Sequence, residues 1–404
     1  MELSLPDKER LLNIALEKGE GVLRIFPNWV PREFCIPGRR LKLHPDDYYS
    51  FGAHRGGIDE RWFCSTTKAD NGPLTLEDEG LSYIYVENGP KVEKILLKDA
   101  ISIMGNDIIG RNIMDKYGGW PMYSKFFDNL EPLPLHLHQD DKKAELVGKK
   151  GKPEGYFFPK QLNNHPAYFP HTYFGLQPGT TKEEVKKCLE LWNKKDNGIL
   201  YLSKAYKLKP GTGWDVPPGV LHAPGSLLTY EPQYASDVFS MFQNITWNKF
   251  ISRDLLVKDV PEENKMDLDF IVDLVDWDLN TDPDFYKNRF LEPIPMKPIE
   301  EMKEEGYEEF LVVYNSDAYS AKELTIFPGE AISIKENSSY GIIVIQGYGK
   351  FGVLDIESPS MIRFGEMTWD ELFITAEIAR NGIEIKNASK VENLVILKHL
   401  GPIN

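Results

Sequence analysis

The chain has 404 residues, of which 41% are hydrophobic and 27% charged, as in a folded globular protein of two or three domains. Its 47 basic and 62 acidic residues give a formal net charge of -15, so the surface lacks the positive charge that attracts nucleic acid or an anionic membrane. We therefore expect neither of these as a partner.

The three cysteines, Cys35, Cys64 and Cys188, lie far apart and form no CxxC pair. This spacing indicates neither a disulfide framework nor a thiolate zinc site, and it is typical of free thiols in a reducing compartment. The first residues are charged and helix-like, and no run reaches the roughly 18 apolar residues of a membrane span. These features predict a cytoplasmic protein.

The first 250 residues predict mainly β structure with a few helices. Residues 1–22 predict a helix, and in 23–101 short β-type runs alternate with the turn motifs DNGP and ENGP, as antiparallel strands do. Residues 160–180 predict a loop. Residues 181–195 predict a helix that opens with the capping-box motif TKEE, after which SLLTYEPQ and DVFSMFQNITW return to strands.

The composition changes in the last third of the chain. Residues 251–308 are acidic and predict a helical linker, whereas the alternating runs of residues 309–404 predict a second small β-barrel. This barrel has the pattern of a degenerate repeat of the first. We divide the chain into an N-terminal helical segment (1–22), a β domain with a helical insertion (23–250), the linker (251–308) and the C-terminal barrel (309–404).

The run LPLHLHQDD places His136 and His138 one residue apart. On a β-strand such residues point to the same face about 6.6 to 7 Å apart, so both imidazoles can bind one ion. Glu154 in GKPEGYFF and His222 in PPGVLHAPG offer two further ligands. This nitrogen and oxygen set suits zinc, manganese, iron, cobalt or nickel, and it does not choose among them.

Each of these four residues also has an ordinary explanation when taken alone. A strand HxH is often a surface or core pair, a single glutamate is usually solvated, and a histidine after a Pro-Pro-Gly turn usually makes one local hydrogen bond. The order of all four on short strands favours the metal site. His399 is isolated, and we expect no metal ligands in the C-terminal barrel.

This order of motifs resembles the cupin superfamily, and more narrowly the type I phosphomannose isomerases. Four segments carry the resemblance, over about residues 45–250: ERWFCSTTKADNGP, YGGWPMYSKFFDNLEPLPLHLHQDD, GKPEGYFF and LKPGTGWDVPPGVLHAPGSLLTYEPQYASD. It implies a mostly β protein of two cupin domains (a bicupin of jelly-roll β-barrels) with additional helices. The first barrel would hold zinc or another divalent metal.

The resemblance implies His138, Glu154 and His222 as metal ligands, and His136 stands where the family has a metal-binding glutamine. It also implies Lys152 and Glu231 as active-site residues.

Two positions depart from the family's pattern. Pro134 stands where the family has a phosphate-contacting serine, and Met241 stands where it has a catalytic arginine. Methionine can neither bind an anion through two hydrogen bonds nor stabilise an enediolate. Loop cations such as Arg55, Arg61 and Lys68 could supply an anion site instead.

The expected function is a metal-dependent aldose–ketose isomerase that acts on a sugar or sugar phosphate through an enediol. Lys152 would stabilise charge or move a proton, and Glu231 would be the general base. A solvated loop lysine and a carboxylate that orients His222 are the structural alternatives for these two residues. A metal-cupin oxygenase and a non-catalytic sugar-binding regulatory protein remain open as other classes, and the chain could form a homodimer.

Overall fold

The computed structural model describes residues 3–163, 169–246 and 249–402. The chain is mostly β, as predicted. The strands are β1 (Val22–Arg24), β2 (Asn28–Arg32), β3 (Gly57–Phe63), β4 (Tyr83–Asn88), β5 (Lys91–Leu96), β6 (Met122–Phe127), β7 (His136–Leu137), β8 (Glu154–Phe157), β9 (His171–Leu176), β10 (Ser203–Lys207), β11 (Gly213–Val216), β12 (His222–Ala223), β13 (Thr229–Tyr234), β14 (Ser240–Met241), β15 (Ile245–Thr246), β16 (Lys249–Phe250), β17 (Phe290–Leu291), β18 (Ile294–Pro295), β19 (Tyr307–Val313), β20 (Ser320–Ile326), β21 (Ala331–Ile334), β22 (Tyr340–Gln346), β23 (Tyr348–Phe351), β24 (Leu354–Glu357), β25 (Glu371–Ile374), β26 (Ile383–Asn387) and β27 (Leu394–Leu400).

The helices lie at the N-terminus, around the first half of the strands and in the acidic segment. They are α1 (Leu5–Lys18), α2 (Leu97–Ile108), α3 (Arg111–Tyr117), α4 (Asp141–Glu145), α5 (Lys182–Glu190), α6 (Arg253–Leu256), α7 (Leu268–Val272), α8 (Trp277–Asn280), α9 (Phe285–Arg289), α10 (Ile299–Glu304) and α11 (Ala376–Asn381). No helix in the described ranges is both long and apolar enough to cross a membrane.

Two of the local predictions need correction. Within the predicted loop at 160–180, residues 164–168 lie outside the described part, and the stretch that follows forms β9. The capping box of Thr181 and Glu184 is confirmed, but α5 ends at Glu190 instead of running to 195. The side chain of Asn244 donates to the carbonyls of Trp192 and Lys195, so a distant residue takes over the hydrogen bonds beyond the helix end.

Most of the strands form two pairs of facing sheets, and β4-β5 and β15-β16 form separate two-stranded sheets. The first pair has the orders β17-β11-β8-β13-β6-β3-β2 and β10-β9-β12-β7-β14. The second pair has the orders β1-β25-β22-β27-β20-β19-β18 and β21-β26-β23-β24. Among the described residues no sheet closes on itself into a barrel. The N-terminal β1 joins the second pair, and the acidic segment supplies β17 to the first pair and β18 to the second.

The same strand order occurs in both pairs. The first contains β11-β8-β13-β6 and β10-β9-β12-β7, and the second contains β25-β22-β27-β20 and β24-β23-β26-β21, so each number rises by 14. This repetition agrees with the repeat seen in the sequence. The two seven-stranded sheets pack face to face, because Phe63, Phe126 and Tyr230 from one share a buried cluster with Ile343 and Phe373 from the other.

The second pair of sheets encloses a cluster of ion pairs. Lys398 is fully buried, and its ammonium lies 2.5 Å from Glu309 Oε1 and also contacts Glu336. Lys322 lies 2.8 Å from the same Glu336 carboxylate. We call these four residues the C-terminal ion cluster. Because two cations face two carboxylates, the cluster neutralises itself.

Candidate metal centre

The backbone brings the three predicted histidines together on one sheet. His136 on β7 pairs in register with His222 on β12, and His138 follows directly after β7. Glu154 begins β8 on the facing seven-stranded sheet. All four side chains are buried, and the three histidines offer ligand atoms that lie within 4.8 Å of one another. The four residues therefore meet in the space between the two sheets.

Each histidine is oriented by a backbone carbonyl. The Nδ1 atoms lie 2.8 Å from Pro134 O for His136, 2.6 Å from Val238 O for His138, and 2.8 Å from Val220 O for His222. A carbonyl only accepts hydrogen bonds, so each Nδ1 carries a hydrogen and each ring turns its Nε2 atom towards the other rings. Metal-binding histidines in proteins are held in this way.

Glu154 completes the group from the opposite sheet. Its Oε2 lies 2.9 Å from His138 Nε2, and its Oε1 lies 3.1 Å from His222 Nε2. Burial, together with the charge of Lys152, lowers the pKa of His138 to about 3. His138 is therefore neutral near pH 7. The lone pair of its Nε2 atom faces Glu154 Oε2, and the ring places no hydrogen between these two atoms.

These contacts fit a bound cation. Ligands held about 2.0 to 2.1 Å from one ion lie roughly 2.9 to 3.4 Å from each other, which matches both distances. The buried atom His222 Nε2 makes no hydrogen bond, and Glu154 Oε2 has only the ion pair with Lys152 besides its contact with His138. Although burial alone would raise it, the charge of Lys152 holds the pKa of Glu154 well below its ordinary value, so this ligand is an anion. The donor set suits a divalent metal.

Lys152 and Glu231 lie beside this group. The ammonium of Lys152 is 3.0 Å from Glu154 Oε2 and 3.1 Å from His138 Nε2, and it is 3.6 Å from Glu231 Oε1. Burial and the nearby charge of Glu154 raise the pKa of Glu231 to about 8. Lys152 is buried rather than solvated, and the ring of His222 is held by a carbonyl and not by Glu231, so neither structural alternative holds.

Further charged residues, which the sequence reasoning missed, extend this site across the seven-stranded sheet. Lys125 on β6 pairs in register with Glu231, and its ammonium is 3.2 Å from Glu231 Oε1 and 3.6 Å from Glu60 on β3. Arg32 on β2 then bridges Glu60 and Asp237. We call these residues, with Lys152, the buried charge row; its members are Arg32, Glu60, Lys125, Lys152, Glu154, Glu231 and Asp237.

The sequence does contain a signal for the charge row. Lys125 interrupts MYSKFF and Glu60 interrupts GIDERWF, and every residue of both strands is buried. Charged residues inside a fully buried strand, such as Lys125 on β6 and Asp59, Glu60 and Arg61 on β3, are rarely without a partner. Although burial would lower it, Glu231 and Glu60 raise the pKa of Lys125 above its ordinary value, so the ammonium stays charged.

The structure also places the residues that depart from the family's pattern. Pro134 offers its carbonyl to His136, and Met241 on β14 pairs in register with that histidine. Arg55 and Arg61 are not free to form an anion site, because their guanidinium groups lie 2.7 Å from Glu79 and Asp370 respectively. That expectation was wrong for both arginines, and it stays untested for Lys68, which is exposed.

The two-sheet arrangement is that of the cupin fold found in phosphomannose isomerases, as the motifs predicted. Three solved structures show the likeness. The mannose 6-phosphate isomerase from Bacillus subtilis is 17% identical, with 94% of this chain and 99% of that chain covered and a TM-score of 0.59. A zinc-bound mannose 6-phosphate isomerase is 12% identical (95% and 100% covered, TM-score 0.62).

The phosphomannose isomerase of Salmonella typhimurium is also 12% identical (95% and 100% covered, TM-score 0.60). No family model matches the chain, and no curated protein matches its sequence. At these identities the likeness establishes the fold.

Proposed function

We propose that this protein is a metal-dependent aldose–ketose isomerase that acts on a sugar or sugar phosphate. One observation carries the proposal: the Nε2 atoms of three histidines converge with the carboxylate of Glu154, directly beside Lys152 and Glu231. The fold supports it, since solved structures with this fold are mannose 6-phosphate isomerases, one of them bound to zinc.

His136, His138, Glu154 and His222 would hold the metal, with zinc expected first and manganese, iron, cobalt or nickel as alternatives. When bound, a divalent ion polarises the carbonyl and hydroxyl oxygens of a sugar. Every other contribution comes from the side chains of the buried charge row.

The isomerisation moves a hydrogen between two adjacent carbons. Glu231 takes the proton from the carbon beside the carbonyl, which leaves an enediolate, and returns it to the former carbonyl carbon. Lys152 passes the hydroxyl proton of the first carbon to the former carbonyl oxygen, which completes the exchange. The raised pKa of Glu231, about 8, suits both of its steps near neutral pH. Lys152 stabilises the negative charge that develops on the sugar oxygens, and Lys125 holds the Glu231 carboxylate from the opposite side.

We also propose that residues 23–250 and 309–404 are two cupin jelly rolls, with the 1–22 helix before them and the 251–308 linker between them. The repeated strand order supports this division. A homodimer and a cytoplasmic location remain predictions.

The test is proton NMR of the metal-loaded protein in D₂O with mannose, mannose 6-phosphate and the corresponding ketoses. We expect one sugar to convert, or the proton on its second carbon to exchange. His222→Ala should lose both metal and turnover, whereas His171→Ala, a histidine outside the site, should keep both. If metal is present and no sugar turns over, the isomerase proposal fails in favour of an oxygenase or a sugar-binding protein.

A further inference from the structure

The charge balance of the site bears on the chemistry of its ligand. The buried charge row holds three cations, Arg32, Lys125 and Lys152, and four carboxylates, Glu60, Glu154, Glu231 and Asp237. Each cation lies within ion-pair distance of two of these carboxylates. Every cationic side chain of the row is therefore already paired with carboxylates, and a bound metal would add positive charge only at its own ligands, His136, His138, Glu154 and His222.

Arg32 illustrates how the cations of the row are paired. Its Nε donates to Glu60 Oε1 at 3.1 Å, Nη1 donates to Asn71 Oδ1 at 2.8 Å, and Nη2 donates to Asp237 Oδ1 at 3.3 Å. Two carboxylates thus neutralise one buried guanidinium. A phosphate could bind Arg32 only by displacing a buried carboxylate, which would leave that carboxylate without its partner.

A cavity of about 410 Å³ borders this part of the site. Asn71, which binds Arg32, lines it, and so does Phe239, which follows the Val238 carbonyl that orients His138. The cavity therefore approaches the charge row through Asn71, and its lining includes none of the four proposed metal ligands.

The cations that line this cavity are also paired. Arg55 binds Glu79, Lys258 lies 3.2 Å from Asp70, and Lys249 lies 3.7 Å from Glu33. Aromatic and aliphatic side chains cover much of the remaining wall, among them Phe34, Leu74 and Phe250. A cavity of this kind offers apolar contacts and neutralised charges.

We infer that the ligand of this site is an uncharged sugar, an aldose or ketose without a phosphate group, which enters through the cavity. The inference rests on the proposed function and narrows its substrate class. A hydroxyl group both donates to a carboxylate and accepts from an ammonium group, so alternating paired charges suit a polyhydroxylated neutral molecule. A phosphate dianion would instead meet cations that are already paired with carboxylates, and Met241 adds no cation.

The inference is tested by calorimetric titration of the zinc-loaded full-length protein with glucitol and with glucitol 6-phosphate, which cannot isomerise. We expect glucitol to bind at least about tenfold more tightly than glucitol 6-phosphate. The phosphate gives up its hydrogen bonds to water, and the cations that could replace them are already paired with carboxylates. Equal or tighter binding of the phosphate ester, or no binding of either compound, would overturn the inference.

The turnover assay separates this inference from the proposed function. Conversion of mannose 6-phosphate but not of mannose would keep the isomerase and overturn the neutral ligand. Binding of glucitol with no turnover of any sugar would keep the neutral ligand and refute the isomerase.

Asp237→Asn tests the role of Arg32 directly, because it removes one of the two carboxylates that neutralise the guanidinium. We expect the affinity for glucitol 6-phosphate to rise about tenfold relative to the affinity for glucitol. Asp254→Asn is the matched control, since Asp254 lines the same cavity but binds Ser252 instead of Arg32. If Asp237→Asn does not fold, Glu60→Gln removes the other carboxylate. An equal gain in the control would contradict the role of Arg32.

Discussion

Zinc should stabilise the folded protein through His136, His138, Glu154 and His222. A ligand that binds only the folded state stabilises it by about 2.7 kcal/mol when its free concentration is 100 times its Kd. With an entropy of unfolding near 2.1 cal/mol/K per residue, the 404 residues give about 0.85 kcal/mol/K. For a chain that unfolds as one cooperative structure, the midpoint of thermal unfolding should therefore rise by about 3 °C.

The assay is differential scanning calorimetry of the protein with a chelator and with increasing zinc. His222→Ala and Glu154→Gln should abolish the zinc-dependent rise, since each removes a proposed ligand, and His171→Ala should keep it. The metal content of each variant, measured after dialysis, should fall in parallel. A rise of the same size in His222→Ala and in the unaltered protein would refute the assignment of the site.

Three further predictions follow from buried charges elsewhere in the molecule and in the site. Glu231→Gln should lower kcat by at least about a hundredfold while zinc content stays unchanged, because it removes the proposed base and none of the ligands; unchanged kcat would exclude the role. Lys398→Met should lower the free energy of unfolding in urea by about 3 kcal/mol, since it leaves buried carboxylates with only Lys322, whereas the exposed Lys350→Met should cost less than about 0.5 kcal/mol. Burial lowers the pKa of His399 to about 3, so the stability that this neutral ring contributes is present above pH 6.5 and is lost as the pH falls. Between pH 7 and pH 5 the free energy of unfolding should fall by about 2 kcal/mol through His399. In His399→Gln this fall should be smaller by that amount, and an equal fall in both proteins would contradict this role of His399.

The sequence predicted the candidate ligands because their arrangement is local. The spacing of His136 and His138 on one strand, and the turn before His222, fix where those side chains point whatever the rest of the chain does. The charge row could not be found in this way, because Lys125, Glu231 and Glu60 meet only through the register of β3, β6 and β13.

The predictions of helix ends and of which sheet a strand joins failed for the same reason. The end of α5 depends on Asn244, which lies far along the chain, and β1 pairs with β25 near the C-terminus. Such contacts between distant residues leave no mark in a local pattern. The fold class was predictable because strand alternation and motif order are properties of the sequence itself.

The repeated strand order places buried charged residues on corresponding strands of the two halves of the chain. Lys125 pairs in register with Glu231 in the first half, and Lys322 pairs with Lys398 at the corresponding point of the second.

The C-terminal ion cluster thus occupies the position that the proposed metal centre and its charge row occupy in the first half. In the C-terminal ion cluster a lysine ammonium supplies positive charge, whereas in the first half a metal ion bound from solution would supply it. The chain therefore carries within itself a metal-independent counterpart of its proposed metal site.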